Sequence, residues 1–134
     1  MRGLVRSLTM AALALAGCAS APQPGVALDE VRVDSRGADA GGGGAACGDF
    51  ALTAAQARYF LARSVVVSDR QLRDGWDVLP CYVRGTARSS GGVWRWEIRA
   101  GGTATLETPS GATELRACSD CDAVITRPAR ARKP

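Results

Sequence analysis

Between Cys81 and Cys118 the chain changes character at every second residue. Cys81 to Arg88, Val93 to Arg99, Thr103 to Thr108 and Ala112 to Cys118 each set apolar or small side chains against polar ones. Only an extended strand sends alternate residues to opposite faces, so this half of the chain predicts a sheet with one buried and one wet face. Three breaks separate the segments: Ser89-Ser90-Gly91-Gly92, Ala100-Gly101-Gly102 and Pro109-Ser110-Gly111. All are turn chemistry, and all are too short for a crossover, so neighbours pair antiparallel. The expectation is a four-stranded meander.

Its register follows from which side chains can face each other. With Arg88 opposite Val93, the residues Trp94, Trp96 and Ile98 meet Ala87, Gly85 and Val83, and Glu97 meets Arg84 on the other face. With Ala100-Gly101-Gly102 as a three-residue loop, Trp96 meets Leu106, Ile98 meets Ala104, and Arg95 meets Glu107. The third hairpin is less constrained. Glu107 opposite Ala112 keeps Glu107 and Glu114 apart, while a slip of two residues brings them together. The buried face is then expected to hold Trp94, Trp96, Ile98, Leu106 and Leu115.

Ahead of the sheet, Thr53-Ala54-Ala55-Gln56 is a capping box. Ala54, Ala57, Phe60 and Leu61 follow at helical spacing, which predicts a helix over 53–63 with Arg58 and Arg63 off its apolar stripe. Ser68-Asp69-Arg70-Gln71 repeats the capping pattern and predicts a second helix of one or two turns, stopped by Gly75. The fold class expected is α+β, an N-terminal helix and a short second one packed on the four-stranded antiparallel β-meander, over residues 47–125. Val65 to Val67 is a short β-branched run, and Val26 to Val33 is assigned no element.

Residues 18–46 have the composition of a flexible Gly/Ala/Pro linker, with Pro22, Pro24, Gly25, Gly37 and the run Gly41 to Gly44. A flexible chain of that length reaches on the order of 30 Å. Before it, residues 1–17 read as a signal peptide, with Arg2 and Arg6 ahead of a short apolar stretch from Leu8 to Leu15. The junction Leu15-Ala16-Gly17-Cys18 resembles the lipobox of bacterial lipoproteins. That resemblance implies cleavage between Gly17 and Cys18 and diacylglycerol on the Cys18 thiol. It further implies palmitate-type anchoring in a membrane through N-terminal acyl chains. With Ala19 rather than Asp after the cysteine, it implies the outer membrane, facing the periplasm.

Four cysteines remain: Cys47, Cys81, Cys118 and Cys121. In a small exported domain an even number reads as a disulfide framework, and such bridges supplement a core this small. Of the three pairings, Cys47–Cys81 with Cys118–Cys121 is preferred, the first clamping the helix entrance to the first strand of the meander, the second closing the chain end. Cys47-Gly48-Asp49-Phe50, Leu79-Pro80-Cys81-Tyr82, Trp96-Glu97-Ile98 and the Cys118/Cys121 spacing together resemble small cysteine-containing bacterial lipoproteins, a likeness that carries no activity.

The chain has no histidine, which removes His-based triads, His general acid–base chemistry and His-ligated metals. No metal or cofactor site is expected. The net charge of +4 comes from the two ends. Residues 19–125 carry 11 basic and 13 acidic side chains, which argues against nucleic acid as a partner. The basic residues Arg127, Arg130, Arg132 and Lys133 fall in a tail over 126–134, expected to be disordered. The sequence therefore predicts a non-enzymatic binding module, with another envelope protein as partner and Arg84, Arg95, Arg99, Arg116, Glu97, Glu107 and Glu114 as its charged surface. A sharper version is an immunity or inhibitor lipoprotein acting on an envelope-targeting toxin or hydrolase. The rival from another class is a thiol–disulfide oxidoreductase using Cys118 and Cys121.

Overall fold

The structure is a computed structural model that describes residues 28–42, 47 and 49–125. Residues 1–17, expected as a signal peptide, together with Cys18 and the expected basic tail over 126–134, lie outside the described residues. The elements run β1 (Asp29–Ala38), α1 (Ala54–Arg63), β2 (Val65–Val66), α2 (Asp69–Gly75), β3 (Cys81–Ser89), β4 (Gly92–Arg99), β5 (Thr103–Glu107) and β6 (Thr113–Ala117). They build one six-stranded antiparallel sheet in the order β1-β3-β4-β5-β6-β2. The meander is its centre, but the expected four-stranded sheet under a helix is incorrect. A strand is added at each edge, and the chain is mostly sheet with two short helices.

β1 comes from the stretch read as linker. Leu28 and Val31 are buried in the core and anchor a strand whose other side chains are mostly charged or small, which is why its composition resembles a tether. Two register shifts against β3, between Asp29 and Arg32 and between Val33 and Ser35, bulge the strand. Bulges and charges of this kind blunt an exposed edge against further pairing. β1 lies close to its neighbour because Gly85 has no side chain: a Cβ there would collide with the Arg32 carbonyl and the Trp96 ring. At the opposite edge β2 has only two residues, pairing Val65 with Ala117 and Val66 with Arg116.

Both capping boxes form. Thr53 Oγ1 accepts from the Gln56 amide, and Gln56 Oε1 accepts from the Thr53 amide; Ser68 and Gln71 do the same for α2. α1 buries Ala57, Phe60 and Leu61 in one cluster with Val83, Trp96, Ile98 and Leu106. Trp96 is fully buried with its indole N–H donated to the Thr86 carbonyl; Trp94 is half-buried against the same cluster and donates to Ser89 Oγ.

The first two hairpins have the registers expected. The third does not. Glu107 pairs with Thr113, one residue beyond Ala112, so Thr105 faces Leu115, and Ala104 faces Arg116. A shift of one residue reverses a strand's faces. Arg116, expected on the charged surface, is buried, and Leu115 is on the opposite side and half-buried. The guanidinium is tolerated because every direction it points holds an acceptor: Ser64 Oγ at 3.0 Å, the Ser64 carbonyl at 3.0 Å and Glu114 at 2.9 Å. Ser64 is the C-cap of α1, so Arg116 ties the helix end to the sheet.

Cys47 is bonded to Cys81, and Cys118 to Cys121, the pairing preferred from the sequence. No helix among the described residues is long and apolar enough to cross a membrane.

Candidate functional site on the open sheet face

The face turned away from α1 forms a grid of polar side chains. One row crosses the sheet as Ser35, Arg84, Glu97, Thr105 and Leu115; the next as Arg32, Thr86, Arg95, Glu107 and Thr113. Alternation produces this directly, since on β3, β4 and β5 each of these positions lies next to a buried residue along its strand.

At one end of the grid the charges brace one another. Tyr82 pairs with Arg99 and sits two residues from Arg84. The Arg84 guanidinium lies 4.0 Å from the Tyr82 ring centre, and that of Arg99 lies 5.7 Å away, both within cation–π range. Glu97 bridges the two arginines, accepting from Arg84 Nε at 2.8 Å and standing 2.8 Å from Arg99. Asp39 accepts from both terminal nitrogens of Arg99, at 2.7 and 3.2 Å, and the Leu79 carbonyl accepts a further bond at 2.9 Å. The bond from Arg99 lowers the Asp39 carboxyl below the ordinary carboxylate value. Glu97 raises Arg84 and Asp39 raises Arg99, each by accepting its hydrogen bond. The hydrogen bonds at this end of the grid therefore favour the charged forms of Asp39, Arg84 and Arg99.

Toward the other end lies a shallow depression of about 280 Å³ lined by Arg84, Arg95, Trp96, Glu97, Thr105 and Glu107. Arg95 and Glu107 are directly opposed across β4 and β5, yet form no ion pair. The face therefore combines a rigid charged cluster with an open, polar hollow. That arrangement can bind through charge and shape.

The structure brings together Arg84, Arg95, Arg99, Glu97 and Glu107 of the charged set expected from the sequence, and withdraws Arg116 and Glu114 to the other side. Sequence reasoning missed Asp39, hidden in the apparent linker, and Tyr82. The second was recoverable, because the register that places Arg84 opposite Glu97 also places Tyr82 opposite Arg99.

The cysteines lie elsewhere. Cys118 and Cys121 are buried in the α1-covered core. The chain after them makes a turn in which the Val124 and Ile125 amides both donate to the Cys121 carbonyl. A redox cysteine needs an accessible sulfur, usually at a helix start; neither condition is met. Asp120 joins these two cysteines in a cluster of three possible metal donors, but both sulfurs are committed to their disulfide.

Against known protein families, curated proteins and solved structures, the chain finds no match.

Proposed function

We propose that the protein is a non-enzymatic binding module, held at the periplasmic face of the outer membrane by acyl chains on Cys18, that docks another envelope component on its open sheet face. The observation that carries this reading is the braced cluster of Tyr82, Arg84, Glu97 and Arg99 beside an unfilled hollow. Exposed ion pairs add little to stability, so a surface of this order is of most use as a pre-organised contact. The anchor adds proximity: a lipid-held domain meets its membrane neighbours at high effective concentration.

The test is in-cell crosslinking of the tagged chain followed by mass spectrometry. The expected result is a reproducible partner, lost when Arg84 and Arg95 are together changed to Glu. A partner retained by that variant contradicts the choice of face. Palmitate labelling of the natural chain and of Cys18→Ala tests the anchor, and equal labelling contradicts it.

A further inference from the structure

Thr86 lies at the centre of four arginines. Arg32 on β1 and Arg95 on β4 are its direct cross-strand partners, and Arg84 and Arg88 flank it two residues away on β3. All four arginines are exposed. Cross-strand neighbours stand roughly 5 Å apart and same-face neighbours along a strand roughly 7 Å. Four positive charges thus occupy a patch on the order of 10 Å across, with Glu30, Glu97 and Glu107 at its margins.

Two of the four are neutralised from within the chain. Arg84 bonds Glu97 at 2.8 Å, and Arg88 faces Glu30 at 3.6 Å. Among the described residues, the side chains of Arg32 and Arg95 have no hydrogen bond or ion pair. They stand on either side of the Thr86 position, and each borders a hollow. One, of about 180 Å³, is lined by Arg32, Thr86 and Arg88 among others; the second is the 280 Å³ depression beside Arg95.

We propose that Arg32, Thr86 and Arg95 form a binding site for a phosphate group. A carboxylate has two oxygens in one plane and can bridge two guanidinium groups, as Glu97 does, whereas a phosphate offers a further oxygen for the Thr86 hydroxyl between them. Two forks on opposite sides of a hydroxyl are thus matched by the oxygens of a tetrahedral phosphate. Its charge also complements the two arginines that have no ion pair. This deepens the binding reading of the open face by naming a ligand chemistry, and Arg95 belongs to both. A lipid headgroup and a free phosphate share that chemistry.

The test follows arginine Nε–H signals of the full chain in a nonionic detergent micelle during titration with inorganic phosphate and then pyrophosphate. Saturable shifts are expected at Arg32 and Arg95 and none at Arg58, which is exposed on α1. Arg32→Gln should weaken the response of Arg95 roughly tenfold, and Arg95→Gln that of Arg32. The melting temperature of each variant is measured alongside and should change little, because both side chains are exposed; loss of binding is then not loss of fold.

Equal shifts at Arg58 would overturn the site. So would an Arg95 response indifferent to Arg32→Gln, or a tighter response to a glutamate-rich peptide than to pyrophosphate. The source is read in phosphatidylcholine vesicles with and without phosphatidylglycerol. Shifts induced by the anionic lipid alone support a headgroup ligand, and shifts that need added phosphate support a soluble one. A flat titration with crosslinked partners intact breaks the phosphate assignment alone. Lost partners with the titration intact break only the protein-partner reading.

Discussion

The two faces of this sheet are built from the same strands, one residue out of step, and they obey different physics. Val83, Trp96, Ile98 and Leu106 turn under α1 and are excluded from water; Arg84, Arg95 and Glu107 turn outward and are exposed. On the inner face stability comes from apolar area removed from water and from tight packing. Even Arg116, the one buried guanidinium among the described residues, has an acceptor at each of its nitrogens. On the outer face an ion pair such as Arg84–Glu97 keeps one partner in solvent, where it contributes little. The inner face decides whether the chain folds. The outer face is free to be shaped by what it touches.

The comparison breaks most readily at Trp96. Trp96→Ala removes the more deeply buried of the two inner-face tryptophans, with its indole bond to the Thr86 carbonyl. Denaturant unfolding should record a loss of roughly 3–5 kcal/mol, enough to unfold a domain this small. A loss below about 1 kcal/mol would mean the inner face is not the core. Arg116→Met sharpens the contrast. It keeps the volume but leaves the Ser64 carbonyl and Glu114 without their donor, and should cost about 1–3 kcal/mol. Removing an outer arginine such as Arg84 should cost under about 1 kcal/mol. Similar losses at both positions would erase the distinction between a buried charge and a surface one.

The smallest effect expected is at Asp39, and it depends on pH. Its carboxyl is lowered in the folded chain, so the unfolded chain binds its proton first as pH falls. The Arg99 pair therefore stabilises fully above the ordinary value of 3.8 and is lost as pH drops through the lower folded value. Asp39→Asn should lower Tm slightly at neutral pH and leave it unchanged at the acid end. A gap between variant and natural chain that persists at the acid end would contradict the assignment.

How much of this was legible depended on how local the deciding interaction was. Helix caps were legible because Thr53 and Gln56, or Ser68 and Gln71, meet within one turn. The first two hairpins were legible because large-against-small and opposite-charge pairs agreed on one register. The third failed by a residue, although the same turn chemistry was present. Gly102 and Gly111 both take a left-handed φ of 87° and donate their amides back, to the Arg99 and Thr108 carbonyls. Each closes a three-residue loop, and the Thr108 amide accordingly reaches the Ala112 carbonyl. The sequence reading favoured Leu115 inside over Arg116, because Ser64, which makes that burial possible, lies 52 residues away. β1 was missed for a similar reason. Its charges and glycine resemble a tether, and only Leu28 and Val31, meeting a core formed much later in the chain, hold it as a strand. Asp39 was lost with it, and the open face was therefore read without its brace on Arg99.

The central claim is that contact with another envelope component occurs on the open face and not over the helix. It is tested most directly by placing a photo-crosslinking residue at Thr105, in the middle of the grid, or at Arg58, on the exposed side of α1, and irradiating living cells. The account predicts a discrete adduct from Thr105 and none from Arg58. Adducts of equal yield from both, or from Arg58 alone, would contradict it.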